Sequence, residues 1–324
     1  MRSQTHKRKN GRAATPSKPR LEHSAADNGN GALEAPPESQ RLSVLKTYKI
    51  YINGKFPRTE SGRYYLLKSS KGDAIANVCL CSRKDFRDSV VAARAAQPAW
   101  AGKSAYNRSQ ILYRIAEMLE GRAPQFIAEL QLTGATASAA DREVTQSIDR
   151  LLYYAGWSDK YQQVFSSVNP VSSSHFNFSV LEPTGVVSIL CPEDSPLLGL
   201  VSVIAPTIAG GNTCIALAST SKPLAAVTFS EVLATSDVPN GVINILTGQR
   251  SELLEHFATH MDVNATIYCG QDTTELATLR TKSALNVKRI VNYDREDWTT
   301  PDAQSPYFIL DTQEIKTTWH PIGV

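Results

Sequence analysis

The sequence predicts an α/β fold built on a parallel sheet, and three observations between Glu182 and Leu217 carry that prediction. First, a Pro-Thr-Gly turn leads into VVSIL (Val186 to Leu190), a short β-branched run of the kind that forms a buried strand. Pro192 closes it, because proline lacks the N–H a sheet ladder needs. Second, Leu197 to Ala209 is apolar on nearly every side, which predicts a buried helix. Third, Gly210-Gly211-Asn212 stops that helix and Thr213 to Leu217 re-enters a strand. Strand, helix and strand make one parallel crossover, the repeating unit of a nucleotide-binding sheet.

The remaining elements follow in chain order. Met1 to Leu45 contains almost no large apolar residues and reads as disordered, with Lys7-Arg8-Lys9 as its basic cluster. TYKIYINGKF alternates and turns at Asn53-Gly54, a type I′ hairpin signal. A strand is expected over Ala74 to Cys81, then an amphipathic helix from Lys84 to Trp100 with Phe86, Val90, Val91 and Ala95 on its apolar face. Ser104 is placed to cap a helix through Ile111, Leu112, Ile115, Met118 and Leu119. Another helix begins near Ser138 and carries Ile148, Leu151, Leu152, Tyr154 and Ala155. Phe165 to Leu181 is polar and β-prone, ending in the alternating HFNFSVL. Helices are then expected over Lys222 to Thr235, Glu252 to His260 and Thr273 to Leu285. Strands are expected over Val242 to Leu246, Ala265 to Cys269 and Val287 to Val291, which completes a Rossmann-like sheet with flanking helices. Beyond Tyr293, REDWTTPDAQ reads as a loop and SPYFILD as one more strand. The expected organisation is a disordered basic tail (1–46), a cofactor-binding-type domain (47–294) and a divergent C-terminal segment (295–324).

The net charge of +3 is unevenly placed, since residues 1–46 hold nine Lys/Arg against four Asp/Glu. The body is therefore slightly acidic, and a nucleic-acid surface on the folded part is not expected. Five cysteines (Cys79, Cys81, Cys191, Cys214, Cys269) form no CxxC pair, and most lie in apolar runs where Cys behaves as a small hydrophobe. That usage fits a reducing cytoplasm. No run reaches about 18 apolar residues and the N-terminus has no hydrophobic signal core, so neither a membrane span nor a secretory signal is expected. His256 and His260 lie one helical turn apart without a visible third ligand, so no metal site is expected.

The ordered motifs PTGVV (Pro183 to Val187), PEDSPL (Pro192 to Leu197), APTIAGGNT (Ala205 to Thr213), VPNGVINILTG (Val238 to Gly248) and H-x-D-V (His260 to Val263) resemble the cofactor-binding half of the NAD(P)-dependent aldehyde dehydrogenase superfamily. The resemblance runs from about Tyr48 to about Arg289. It implies a thiolate nucleophile, an oxyanion hole, hydride transfer to a nicotinamide and a glutamate base. It also implies that the strand ending in HFNFSVL belongs to a small oligomerisation sheet whose other strands come from a far C-terminal part. That strand is then expected to be left with open N–H and C=O groups, a template for another chain.

The positions that carry chemistry in the family are altered here. Pro192-Glu193-Asp194 stands in place of Pro-Trp-Asn, and an ionised Asp194 would repel an oxyanion that an amide would hold. Leu217 replaces the ribose-binding lysine, and Thr220 replaces the glutamate that grips the adenosine hydroxyls. Thr247-Gly248 is kept, but Arg250 replaces the next glycine. In the later Thr-Gly-Ser turn only Gly270 remains. Asp272 and Glu275 then sit in the first turn of a helix, where they satisfy its dipole and repel a pyrophosphate. Tyr293 stands at the position of the glutamate base, with Asp294 one residue on and expected to face the other way. No cysteine follows Cys269, so the nucleophile and the catalytic domain of the family are expected to be missing. A substitute nucleophile from Cys269 or His320 has no supporting constellation.

Pro192, Asp194, Leu217, Thr220, Gly248 and Gly270 are thus expected to be vestiges of a cofactor site, with no catalytic residue and no bound cofactor. NAD or NADP binding would be weak and would depend on Arg250. The expected function is a catalytically inactive pseudoenzyme acting as a scaffold, as a homo-oligomer or as a partner subunit of a full-length aldehyde dehydrogenase. The alternatives are an NAD(P)-dependent aldehyde oxidoreductase that works with a partner or an unusual site, one half of a split dehydrogenase, and binding of nucleic acid or an acidic surface through the basic tail.

Overall fold

The computed structural model describes residues 44–69 and 71–323. The basic tail, with its Lys7-Arg8-Lys9 cluster, lies almost wholly outside the described residues. In chain order the elements are β1 (Thr47–Tyr48), β2 (Tyr64–Lys68), β3 (Ala74–Cys79), α1 (Arg83–Ala101), α2 (Ala105–Glu120), α3 (Ala123–Leu132), α4 (Ala137–Trp157) and α5 (Tyr161–Phe165). They continue with β4 (Ser167–Asn169), β5 (His175–Pro183), β6 (Val186–Leu190), α6 (Leu198–Ala209), β7 (Thr213–Leu217), α7 (Leu224–Ala234), β8 (Ile243–Leu246), α8 (Arg250–Thr259) and β9 (Ala265–Tyr268). The last are α9 (Thr273–Ser283), β10 (Arg289–Asn292), α10 (Tyr307–Leu310) and β11 (Gln313–Pro321).

The centre is a five-stranded parallel sheet in the order β10-β9-β6-β7-β8. Every residue of β6, β7, β8 and β9 is buried, as expected for strands whose two faces are both covered by crossover helices. Their registers end level: Leu190 pairs with Leu217 and with Tyr268, and Leu217 pairs with Leu246. The chain moves outward from β6 to β8 and then returns to place β9 on the other side of β6. That reversal is a topological switch point, and open α/β sheets bind ligands at the carboxyl ends of the strands there.

Helix α6 is buried at all twelve positions, which its uniformly apolar sequence requires. It packs against α2 and α4, and the Trp100 indole of α1 donates to the Ile208 carbonyl at 3.0 Å. Arg150 of α4 is 3 % exposed and has no carboxylate partner among the described residues. Its guanidinium donates to Ser202 Oγ of α6 (2.6 Å), to the Trp298 carbonyl (3.0 Å) and to the Ala303 carbonyl. The segment that follows β10 is thereby tied to the core, which covers a charge that would otherwise be costly to bury.

Several sequence expectations are corrected. The strand expected to be left open, β5, pairs antiparallel with the chain's own β11 over nine residues, from Gln313 opposite Pro183 to Pro321 opposite His175. With β4 it forms the sheet β11-β5-β4. The chain beyond Tyr293 supplies the partner, a pairing across more than 130 residues that no local pattern announces. SPYFILD is not a strand: Pro306 opens α10, and the strand lies in the polar run just after it. Around Asn53-Gly54 the positive φ values of 52° and 72° make the I′ turn, but the ladder is a single bridge between Ile52 and Lys55. Thr47–Tyr48 pairs instead with β3, in parallel. On α1, Val91 is 61 % exposed and Ala95 is exposed, while Ala93 and Trp100 join Phe86 and Val90 in the core. The helices α3 and α5 and the strand β2 lie where no element was expected.

Candidate functional site

The carboxyl edge of the parallel sheet is formed by the turns after Leu190, Leu217, Leu246 and Tyr268, and helices α6 to α9 all begin there. Helix N-termini carry unsatisfied N–H groups and positive partial charge, so they attract anions. The chain itself supplies an acid at the starts of α6, α8 and α9 and in the turn that precedes α7.

At α6, the Glu143 carboxylate from α4 accepts from Leu197 N (3.0 Å) and Leu198 N (3.2 Å). In the turn before α7, the Glu193 carboxylate accepts from Ser219 Oγ (2.8 Å), Thr220 N (3.1 Å), Ser221 N (3.4 Å) and Ser221 Oγ (3.2 Å). At α8, Glu252 lies in the first turn and pairs with Arg63. At α9, Asp272 is the N-cap and accepts from Thr274 N (2.7 Å) and Glu275 N (3.2 Å), which holds its carboxyl below the usual range. Glu275 instead accepts from Tyr268 Oη at 2.8 Å.

Arg250 sits among these acids at the switch point. It donates to the Cys191 carbonyl at 2.7 Å, lies 3.5 Å from Glu275 and 3.8 Å from Glu193, and stacks over the Tyr268 ring at 5.6 Å. Only 15 % of its side chain is exposed. Burial and the neighbouring Glu275 push the Tyr268 phenol up, so it stays a neutral donor. The cation is shared between two carboxylates and a carbonyl, and little of its field is left for a ligand.

The expected site residues can now be placed. Pro192 is buried against the start of α6, where a Cβ on Gly199 would collide with its ring. Asp194 is exposed and lines both a cavity of about 250 Å³ and a larger neighbouring cleft of about 670 Å³. Leu217 is 2 % exposed and belongs to the core. Thr220 is turned inward, its hydroxyl donating to the Gly248 carbonyl at 2.9 Å. Gly248 packs on Cys81, and a Cβ on Gly270 would strike Tyr268 and Arg250. The geometry brings Pro192, Asp194 and Gly270 to one cavity, and Thr220 and Gly248 to one turn–turn contact. Leu217 joins neither.

Tyr293 is buried, donates to Asp311 Oδ2 at 2.6 Å and stacks on Phe308 at 4.7 Å. Asp294 does not face away from it, because β10 ends at Asn292; both residues line the smaller cavity. Burial pushes the thiols of Cys191 and Cys269 up, away from the thiolate form. His320 lies exposed on the small sheet. His260 packs edge-on against Phe86. Among the described residues no group of three or more His, Cys, Asp or Glu is placed to hold a metal ion. No helix among them is long and apolar enough to cross a membrane.

The residues at the switch point do not fit a dinucleotide. Its pyrophosphate would meet Glu275 and Asp272, and the donors of the 219–221 turn are already taken by Glu193. Sequence reasoning marked Arg250, Asp272 and Glu275 but missed Glu143 and Glu193. Their partners lie 54 and 26 residues away, and only the acidic residue in place of the family's tryptophan hints at Glu193.

A parallel sheet with a switch-point cleft defines a Rossmann-like α/β protein. Comparison with known proteins narrows this: the model of the aldehyde dehydrogenase family matches residues 56–292, and the chain belongs to that family. It is 31% identical over 242 residues to 2-hydroxymuconic semialdehyde dehydrogenase of a Pseudomonas species, covering 73% of this chain and 50% of the relative. It is 29% identical over 259 residues to cytosolic 10-formyltetrahydrofolate dehydrogenase of Xenopus tropicalis, covering 78% of this chain and 29% of that protein. The structure of an aldehyde dehydrogenase from Bacillus cereus in complex with NAD+ superposes with a TM-score of 0.72 at 25% identity, over 76% of this chain and 50% of the other. The chain thus spans half or less of the length of the relatives it matches.

Proposed function

We propose that this chain is a non-catalytic member of the aldehyde dehydrogenase family that acts in the cytoplasm as a scaffold or partner subunit. The observation that carries the reading is the carboxyl edge of the sheet: the starts of α6, α8 and α9 and the turn before α7 each hold an acid from the chain, and Arg250 is clamped between two acids there. A surface for association supports it. Val168, Phe176, Phe178 and Val180 share one face of the small sheet and line a mostly apolar cavity of about 330 Å³, with Phe176 45 % exposed and Val168 68 % exposed. Buried cysteines that form no disulfide are consistent with a reducing compartment.

Calorimetric titration of the purified chain with NAD+ and NADP+ tests the closed cleft. No heat at millimolar cofactor is expected. Binding in the micromolar range would return the oxidoreductase reading. For association, Phe176→Asp should shift the chain to a smaller species in sedimentation, and an unchanged mass would remove this face from the proposal.

A further inference from the structure

The turn after β7 is a finished anion site with an occupant already in it. Ser219 Oγ, the Thr220 and Ser221 amides and Ser221 Oγ converge on one carboxylate, that of Glu193. Ser219 is 2 % exposed. The turn is pinned from outside, because Tyr65 Oη donates to the Thr220 carbonyl at 3.0 Å and Thr220 Oγ1 donates to Gly248 O. Its donors therefore point inward because the surrounding chain holds them there, and the carboxylate does not by itself organise them. Arg250, 3.8 Å from Glu193, adds a cation on the other side.

We propose that Glu193 is a built-in competitor that blocks this oxyanion site, so that removing its carboxylate opens the 219–221 turn to a free phosphate. This rests on the closed-cleft reading and adds a named residue that does the closing. An intramolecular anion acts at an effective concentration of order millimolar or more, so free phosphate must exceed that level before it competes. Of the neighbouring acids, Glu275 is paired with Arg250 and Tyr268, while Asp194 and Glu296 line the adjoining cavity; none of the three makes a hydrogen bond to the 219–221 donors.

The test is titration with inorganic phosphate, read by calorimetry and by the amide resonances of Thr220 and Ser221. Glu193→Ala should bind phosphate at least about ten-fold more tightly than the unmodified chain, with both amides shifting. Glu193→Gln keeps an acceptor in the turn and preserves its packing, so its affinity should fall between the two. Adding Ser219→Ala to Glu193→Ala should abolish the gain. Equal phosphate affinity in all forms, or binding that leaves the two amides unmoved, overturns the proposal while the closed-cleft reading stands. Micromolar NAD+ binding by the unmodified chain would overturn the reading itself.

Discussion

The two ends of the parallel sheet solve the same electrostatic problem with different groups. At the carboxyl end, where helices begin, the chain places carboxylates: Glu143, Glu193, Glu252, Asp272 and Glu275. At the amino end it uses amides and a cation. Asn212 Oδ1 accepts from Gly185 N at 2.8 Å, and Asn264 Oδ1 accepts from Val186 N at 3.0 Å. Lys288 Nζ donates to the Phe257 and Ala258 carbonyls at 2.6 and 2.9 Å, in the last turn of α8. Negative groups at helix starts and a positive group at a helix end both complement the dipole. At the amino end Asn212 and Lys288 must find partners because they are buried. The carboxyl end faces the clefts, where a ligand could have supplied the charge, and here the chain supplies it.

The comparison predicts that the amino end matters more for stability. Asn212→Ala should produce the largest loss, up to about 3 kcal/mol in urea unfolding, because it strands the buried Gly185 N beside a side chain that is 0 % exposed. A loss below about 1 kcal/mol would mean that the two ends are equivalent.

Lys288 comes next. Burial lowers its pKa from 10.5 to about 8. Below pH 8 both the folded and unfolded chains hold the proton, and the full cost of the buried charge is present. Between about 8 and 10.5 the unfolded chain binds more protons than the folded one, so stability rises with pH. The unfolding free energy of the unmodified chain should therefore gain roughly 3 kcal/mol on that of Lys288→Met across this window. A flat difference would show that the two carbonyl contacts keep the ammonium at its ordinary pKa.

At the carboxyl end, Glu143→Ala should cost about 1 kcal/mol, the usual value of a lost helix cap. A much larger loss would mean that this end also is structural first. The smallest effect returns to the amino end. Val287 has φ 55° and is 93 % exposed, a left-handed conformation that a β-branched residue resists. Val287→Gly should stabilise by about 0.5 to 1 kcal/mol in thermal unfolding.

Much of the central sheet was legible because its signals are local. VVSIL and TCIAL are β-branched or apolar runs of strand length, and Gly210-Gly211 stops α6 through a backbone that reaches φ 88° at Gly211. Asp272 at the start of α9 was legible for the same reason, since a cap and its N–H groups lie within three residues. The 307–310 segment was not: YFIL has β-prone side chains, yet Pro306 sets φ for a helix start and Phe308 and Ile309 turn into the core. In β11 the polar run QEIKTTWH carries no strong strand signal, and its state is decided by the ladder to β5.

By itself, then, the sequence determined the order of strands and helices from β6 to β10, the family to which the chain belongs and the residues that depart from it, because periodicity, caps and breakers act over a few residues. The tertiary structure alone decided that β5 has a partner, that Arg250 is clamped rather than free, that Glu143 fills the N-terminus of α6 and that Glu193 fills the 219–221 turn. Those outcomes depend on groups 25 or more residues apart meeting within hydrogen-bond or ion-pair distance, and only the folded chain brings them together.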